Sequence, residues 1–279
     1  MLVDWHKHSQ PSGEAEDTLD IQGAVAIVTG SSSGVGAACA RQLAERGCNV
    51  VINYSRSEAG ARETEAACLA LGVETLVVRA DVADDADCRR MAAAADAKWG
   101  RIDALVNNAG TTKFCAHDNL EGLDKQDFLD IYAVNTIGAF QMTRAVAGAM
   151  KRGGRGSIVN VASIAAIMGV GSSIAYAASK GALVTMTLSL ARALGPEIRV
   201  NAVCPGFIQG EWLRSGMGAQ NYDRTKKFLE ETTPLRLTTT PDTVAEAIVY
   251  FVAGADVVTG ETLILDGGMH LNTAPLGRR

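Results

Sequence analysis

The chain has 279 residues, of which 47% are hydrophobic and 20% charged, a composition typical of a folded domain and not of a disordered or collagen-like chain. Its formal net charge is −5, and no run of basic residues occurs, so binding to nucleic acid through phosphate neutralisation is not expected. The sequence contains no uncharged apolar stretch of about 18 residues, so we expect no membrane partner. Nothing resembles a signal peptide, which favours a cytoplasmic protein.

The two termini and the cysteines carry no recognisable site. Residues 1–22 are charged and are predicted to be a flexible leader, and residues 271–279 a C-terminal tail. His6 and His8 could chelate a metal, although two solvated histidines are the more common case. The six cysteines form no CxxC pair and no Cys/His cluster with zinc-like spacing. Free thiols in a reducing compartment and no metal site are therefore expected.

From residue 23 onward, short β-branched runs alternate with Ala-rich helical stretches. Strands are predicted over residues 24–29, 49–53, 75–79, 104–107, 157–161, 199–204 and 262–265. Helices are predicted over residues 36–46, 59–71, 88–99, 128–150, 174–194 and 244–252. Continuous apolar strands suit a parallel sheet that is buried on both faces. The prediction is an α/β fold: a single-domain, Rossmann-type, doubly wound parallel sheet over residues 23–270, with helices on both faces.

Residues 206–242 contain no clear strand and are rich in Gly, Thr and charged residues. They follow the sixth predicted strand. In doubly wound sheets, ligands bind beyond the carboxyl ends of the strands. This segment is therefore predicted to be a lid or substrate loop.

A glycine-rich run, TGSSSGVG, lies between the first predicted strand and the first predicted helix. Glycines at this place let the backbone turn tightly and approach a pyrophosphate, which then sits at a helix N-terminus. The spacing is G-x3-G-x-G and not G-x-G-x-x-G, and an ordinary tight turn is the alternative interpretation. A dinucleotide site is predicted, with contacts from Gly30, Ser31, Ser32, Ser33, Gly34, Val35 and Gly36.

Three residues predict a catalytic group. Tyr176 and Lys180 are four residues apart on a predicted helix and therefore share one face. Ser163 ends the fifth strand, at the carboxyl edge where ligands gather. A Tyr-x3-Lys pair alone is common on helix surfaces, but the glycine loop and Ser163 together make coincidence a poor account. Two further motifs, Asp81-Val82 and Asn107-Asn108-Ala109-Gly110, follow the third and fourth strands, where an exposed loop acid and a turn are the alternatives.

The chain resembles the classical short-chain dehydrogenase/reductase family from about Gly23 to about Gly268. The matching segments are TGSSSGVG, Asp81-Val82, NNAG, Asn135, Ser163 with YAASK, Pro205-Gly206 and LDGG at 265–268. The resemblance implies that Tyr176 is the general acid or base and that Lys180 favours its phenolate and holds the nicotinamide ribose. It also implies that Ser163 binds the substrate oxygen and that Asn135 holds a water in a proton relay.

Further positions follow from the same resemblance. Asn108, Ala109 and Gly110 would line the adenosine side, with Asp81 and Val82 at the adenine. Gly210 stands where the family often has a threonine, so the cofactor carboxamide would depend on the backbone of the run Pro205, Gly206 and Ile208. A homotetramer, or a dimer, formed through the two long helices is also implied.

The expected activity is interconversion of a ketone or 3-oxo compound and a secondary alcohol, as in the 3-oxoacyl-[acyl-carrier-protein] reductase-like branch. NADP(H) should be preferred, because Tyr54 stands where NAD-specific relatives carry an acid and Arg56 can pair with a 2′-phosphate. Ser55 and Ser57 flank this arginine, and NAD(H) use is still possible. The alternatives are an NAD-dependent sugar or secondary-alcohol dehydrogenase and a cofactor-sensing regulatory protein. Residues expected to line an apolar substrate site, or else to pack in the core, are Ile164, Met168, Val170, Phe207, Trp212 and Met217.

Overall fold

The computed structural model describes residues 21–271. The strands in this range are Val25–Val28 (β1), Asn49–Tyr54 (β2), Thr75–Arg79 (β3), Ala104–Asn107 (β4), Gly156–Val161 (β5), Ile198–Pro205 (β6) and Thr262–Leu265 (β7). They form one seven-stranded sheet in the order β3-β2-β1-β4-β5-β6-β7, and every neighbouring pair is parallel. The predicted doubly wound parallel sheet is confirmed.

Helices connect the strands and cover both faces of the sheet. They are Gly34–Ala44 (α1), Glu58–Leu69 (α2), Asp85–Trp99 (α3), Lys125–Tyr132 (α4), Ala139–Arg152 (α5), Ala165–Met168 (α6), Ile174–Leu194 (α7), Glu211–Met217 (α8), Ala219–Thr232 (α9) and Pro241–Ala253 (α10). One face packs against α1, α2 and α10, and the other packs against α3, α5 and α7. Successive side chains of β1 enter these two cores in turn: Ala26 and Val28 enter the first and Ile27 the second. This explains why the strands are continuously apolar.

The strand order places a crevice at the carboxyl edge of the sheet. The chain first builds outward from β1 to β3 and then returns to place β4 on the other side of β1. The loops after β1 and β4 therefore leave the sheet in different directions. Such a point of reversal is where open α/β sheets bind their ligands.

The structure differs from the sequence prediction at several places. The predicted helix over residues 128–150 begins earlier, at Lys125, and is interrupted by a π-helical turn over Ala133–Gly138. Residues 206–242, predicted to be a lid or substrate loop without a strand, contain the helices α8 and α9. Ile21, assigned to the leader, is buried in the core. The rest of the predicted leader, with His6 and His8, and residues 272–279 of the tail lie outside the described residues.

Helix α7 is long and apolar enough to cross a membrane by length and mean hydropathy alone, with 21 residues and a mean hydropathy of 1.2. In the fold it packs beside the sheet, and Ala191 on this helix contributes to the second core. Its Lys180 side chain is 4% exposed and donates a hydrogen bond to the Val161 carbonyl at the end of β5. The same helix therefore serves as a core element and carries polar groups to the carboxyl edge.

Gly36 is required by close packing in the first turn of α1. A methyl group there would lie 2.5 Å from the Gly30 carbonyl oxygen and 2.6 Å from Asn108 Nδ2. We expect Gly36→Ala to lower the free energy of unfolding by about 1–3 kcal/mol, the usual cost of overpacking, in a chemical denaturation experiment. Gly148→Ala on α5 is the control, because the added methyl group meets no atom within 4 Å. Equal stability of the two variants would contradict this account of the glycine loop.

Candidate active site

A continuous cleft of about 1890 Å³ lies at the carboxyl edge of the sheet. It is lined by the loops that follow β1 to β6 and by residues of α8 and α9. Pockets for one small molecule usually measure about 300–1,000 Å³. The cleft is therefore large enough for a dinucleotide and a second molecule.

The glycine loop forms one end of the cleft. Gly30 and Gly34 both have left-handed backbone conformations, with φ of +62° and +55°. A Cβ on Gly34 would meet no atom within 4 Å, and the residue lines the cleft. Helix α1 begins there, and its N-cap residue Ser33 makes no side-chain capping hydrogen bond. The first-turn amides of α1 are thus available to a pyrophosphate, and this part of the site fits a dinucleotide.

The loop after β4 holds the glycine loop in place. The Thr29 hydroxyl accepts hydrogen bonds from the backbone amides of Asn108 and Ala109, at 2.9 and 3.0 Å. Asn108 Nδ2 donates in turn to the carbonyl oxygens of Thr29 and Gly30, at 2.9 and 3.1 Å. Asn108, Ala109 and Gly110 also line the cleft, and their contact with the adenosine side of a cofactor stays a prediction.

The next part of the cleft lies beyond β2 and β3. Ser55, Arg56, Asp81 and Val82 line it, and all four were expected there. Arg79, at the carboxyl end of β3, also lines it with an exposed side chain and was missed. Asn53 was missed as well: its Oδ1 accepts from the Gly30 amide at 2.9 Å, and its Nδ2 donates to the Ala80 carbonyl at 3.0 Å. Both missed residues could have been found by reading the last residue of each predicted strand.

Five predicted cofactor contacts do not line the cleft: Ser31, Ser32, Gly36, Tyr54 and Ser57. The buried Ser31 hydroxyl donates to the Val28 carbonyl at 2.7 Å. Tyr54 is 8% exposed and packs in the first core. Ser57 caps α2 by accepting from the Gly60 amide, and the Ser32 carbonyl packs against the same glycine. Ser31, Ser32 and Ser57 therefore make contacts within the protein and do not face the cleft.

The structure brings together the three predicted catalytic residues. Tyr176 and Lys180 lie on α7, with Lys180 Nζ 5.7 Å from the centroid of the tyrosine ring. Ser163 follows β5, and its hydroxyl is near enough to that of Tyr176 to lower the pKa of the phenol. Lys180 Nζ donates to the Val161 carbonyl at 2.7 Å. All three line the cleft, so a substrate oxygen can be reached by two hydroxyl groups, one of them beside an amine.

Burial shifts the two ionisable groups in opposite directions. It raises the pKa of Tyr176 to about 12, which the nearby Ser163 hydroxyl partly opposes. It lowers the pKa of Lys180 to about 8, because the charged ammonium is removed from water. At neutral pH the tyrosine is therefore a protonated phenol that can donate to an oxygen, and the lysine carries a positive charge next to it.

Asn135 lies in the π-helical turn, is buried and does not line the cleft. Its Oδ1 accepts from the Thr111 amide at 2.8 Å, and its Nδ2 donates to the Thr111 carbonyl and the Ser179 hydroxyl, each at 3.0 Å. The side chain thus joins the loop after β4 to α7. Its expected role in a water relay is a separate matter and is still a prediction.

The start of the segment predicted to be a lid is fixed to the segment before α10. The Gln209 amide donates to the Thr239 carbonyl at 2.8 Å, and the Thr239 amide donates to the Phe207 carbonyl at 3.0 Å. These bonds do not use the amide of Ile208, which lines the cleft together with Pro205 and Gly206. The arrangement leaves the Ile208 amide available, and its contact with a cofactor carboxamide stays a prediction.

The other end of the cleft is largely apolar. Ile164, Val170, Phe207, Trp212 and Met217 line it as predicted. Met168, the last residue of α6, does not line the cleft. Phe114 was missed: its ring is 5.8 Å from the ring of Trp212, which is 6.2 Å from that of Tyr176. No local pattern in the sequence indicates this contact between distant segments.

Within residues 21–271, no three His, Cys, Asp or Glu side chains are grouped in a way that could hold a metal ion. All six cysteines are free, and five of them are buried. The exception, Cys115, is half-buried and lines the cleft.

Comparison of the chain with known proteins identifies its family. The family model described as "Enoyl-(Acyl carrier protein) reductase" matches residues 30–270. The chain is 42% identical over 247 residues, 88% of its length, to "Granaticin polyketide synthase putative ketoacyl reductase 2" of Streptomyces violaceoruber, covering 96% of that protein.

Two solved structures share the fold. The first, a "putative short-chain dehydrogenase/reductase" from Burkholderia xenovorans, has a TM-score of 0.83 and 39% identity, and the match covers 89% of this chain and 98% of that one. The second is an NAD+-bound xylitol dehydrogenase with a TM-score of 0.82 and 26% identity, and the match covers 89% and 99% of the two chains. The protein belongs to the short-chain dehydrogenase/reductase family and is an oxidoreductase.

Proposed function

We propose that the chain is an NADP(H)-dependent oxidoreductase that interconverts a ketone or 3-oxo compound and a secondary alcohol. The observation that carries this proposal is the group of Ser163, Tyr176 and Lys180 in the same cleft as the glycine loop. The similarity to a named ketoacyl reductase supports the 3-oxo branch of the family. The apolar lining around Trp212 supports an apolar carbonyl compound over a highly charged one.

In this proposal the residues of the cleft bind the cofactor, orient the substrate and transfer the proton. When bound, the nicotinamide cofactor supplies the hydride. The amides at the start of α1 and the backbone of Gly34 would hold its pyrophosphate, and Lys180 would hold its ribose. The Ser163 hydroxyl orients the carbonyl oxygen, to which the Tyr176 hydroxyl donates its proton during reduction. The Lys180 ammonium then stabilises the phenolate that is left.

The proposed preference for NADP(H) rests on two exposed arginines in the cleft beyond β2 and β3, where Asp81 and Asp87 also lie. The lining residues that end or follow β2 are Asn53, Ser55 and Arg56, none of which is acidic. Arg56 and Arg79 are both exposed there and can form paired hydrogen bonds with a 2′-phosphate. An acid at the end of β2 would instead repel that phosphate.

A second candidate is an NAD-dependent sugar or secondary-alcohol dehydrogenase, favoured by the likeness to an NAD+-bound xylitol dehydrogenase. A parallel screen of ketones, secondary alcohols and sugars with both cofactors separates the two. A cofactor-sensing regulatory protein is disfavoured, because sensing does not require the complete catalytic group. Turnover of any carbonyl compound in the screen would exclude it as the sole function.

We also propose a cytoplasmic homotetramer, or a dimer, with no nucleic-acid or membrane partner. The support for assembly is a set of exposed apolar side chains on the π-helical turn, on α5 and on α7: Ile137, Phe140 and Leu188. Burial of such side chains between copies would be favourable.

Tyr176→Phe should remove the proton donor and keep the ring. We expect turnover to fall by about 10²–10⁴-fold, the usual contribution of general acid catalysis. The affinity for NADPH, measured by fluorescence titration, should change little. Tyr250→Phe, at an exposed position on α10, is the matched control and should retain full turnover. A Tyr176→Phe enzyme that keeps about half of the wild-type rate would overturn the assignment.

The pH dependence follows from the two shifted groups. As pH rises, Lys180 loses its proton at about 8, well before Tyr176 at about 12. We therefore expect kcat/KM for ketone reduction to be level below about pH 7 and to fall above about pH 8, since kcat/KM reports the free enzyme. Lys180→Met should lose this fall and bind cofactor more weakly. A rate of reduction that rises steadily from neutral to alkaline pH contradicts the mechanism.

Arg56→Ala tests the choice of cofactor. Loss of a hydrogen bond to a charged group typically costs about 1.5–3 kcal/mol, or about 10–150-fold. The ratio of kcat/KM for NADPH over NADH should fall by that factor. Arg62→Ala, at a residue of α2 that does not line the cleft, is the control. An unchanged ratio in Arg56→Ala would show that this arginine does not bind the phosphate.

A further inference from the structure

The substrate end of the cleft has an aromatic wall, which we define as Phe114 and Trp212. The indole ring of Trp212 lies between the rings of Phe114 and Tyr176, at centroid distances of 5.8 and 6.2 Å and interplanar angles of 56° and 47°. Trp212 is 51% exposed, so much of its surface faces the cleft and solvent and not the core. Because Trp212 is exposed and lies beside Tyr176, the proposed proton donor, it is placed to contact the substrate.

The wall is held by close packing against helix α8. Gly216, one turn after Trp212 on that helix, allows the Phe114 ring to lie against its backbone: a Cβ there would be 1.9 Å from Phe114 Cε2 and 2.1 Å from Cζ. The atoms that would clash are the far end of one side chain. A methyl group at position 216 would therefore push the Phe114 ring aside and leave the α8 backbone in place.

Three pairs of polar side chains near the wall are bonded to one another. The hydroxyls of Thr112 and Ser172 are 2.7 Å apart, and Lys113 Nζ is 2.6 Å from a carboxylate oxygen of Asp127. Gln209 Nε2 donates to the Thr238 hydroxyl at 3.0 Å. The hydroxyls of Ser163 and Tyr176 suit a single carbonyl oxygen. A polyhydroxylated substrate would have to break these pairs to use their donors and acceptors.

We infer that the aromatic wall makes this enzyme selective for a carbonyl compound that carries a flat aromatic ring, with the ring against Trp212 and Phe114 and the carbonyl oxygen at Ser163 and Tyr176. This inference rests on the proposed function and names the substrate class of the same site. Aromatic rings at such distances attract one another through their quadrupoles, beyond the effect of burying apolar area. Simple burial of area would instead favour a saturated ring, because it is the larger and more apolar one.

The test compares two ketones with the same carbonyl environment, 4-phenyl-2-butanone and 4-cyclohexyl-2-butanone. In the wild type, kcat/KM should favour the phenyl compound by about 2–10-fold, the size of one or two aromatic contacts. Trp212→Leu and Phe114→Leu should each bring the ratio to about one or below. Gly216→Ala should lower it as well, although it removes no aromatic group. Trp99→Leu, at a residue outside the cleft lining, should leave the ratio unchanged.

A binding experiment separates this inference from the proposed function. The two corresponding alcohols, 4-phenyl-2-butanol and 4-cyclohexyl-2-butanol, are titrated calorimetrically into the full chain without cofactor. Tighter binding of the phenyl alcohol that is lost in Trp212→Leu supports the wall even if no ketone is reduced, in which case the proposed function fails alone. Turnover of other ketones, with a phenyl preference that is absent or insensitive to Trp212→Leu, overturns the wall and leaves the proposed function standing.

Discussion

The site depends on one buried cation. Lys180 is 4% exposed, and its ammonium donates to a backbone carbonyl at the end of β5 and not to a carboxylate. A neutral carbonyl compensates only part of the desolvation of a charge, which is why burial lowers the pKa of this lysine. A phenolate at Tyr176 would supply the missing negative charge. The cost of burying Lys180 in the resting protein is thus offset when the tyrosine gives up its proton.

The position of the Lys180 ammonium depends on how α7 lies against β5. Val161 ends β5, and α7 must lie close to this strand end for Lys180 Nζ to reach the Val161 carbonyl. Asn135 fixes this position by joining Ser179 on α7 to Thr111 in the loop after β4. The π-helical turn of Ala133–Gly138, in which Asn135 lies, belongs to the same arrangement. Turns of this kind are often found at functional sites, where one extra residue re-aims a side chain.

The cofactor end is built by the same kind of cross-linking. Thr29 and Asn108 tie the glycine loop to the loop after β4, and Asn53 ties it to β2 and β3. These bonds use side chains at or next to the ends of strands, so the loop geometry is determined by the register of the parallel sheet. The cleft is therefore preorganised before any ligand arrives, which reduces the ordering cost of binding.

The sequence predicted what depends on periodicity and on fixed spacing. Continuous apolar runs identified every strand of the sheet, because crossover helices bury both faces. The four-residue spacing of Tyr176 and Lys180 identified the catalytic helix face. Prediction was weakest where side-chain direction or long-range packing decides the outcome.

Two residues show this limit. Tyr54 ends β2, but the strand's alternation turns its ring into the core. Phe114 reaches the cleft only because Gly216, on a distant helix, leaves room for it. Neither a direction within one strand nor a contact between distant segments can be deduced from local pattern.

The central claim is that this cleft transfers a hydride to a carbonyl carbon while Tyr176 protonates the oxygen. The most direct measurement uses NADPH carrying deuterium at C4 of the nicotinamide, with a ketone from the substrate screen, and mass spectrometry of the alcohol formed. The account predicts that deuterium from one face of the nicotinamide appears at the carbinol carbon of the product. An alcohol whose carbinol hydrogen comes from water, or cofactor oxidation without a labelled alcohol, would contradict it.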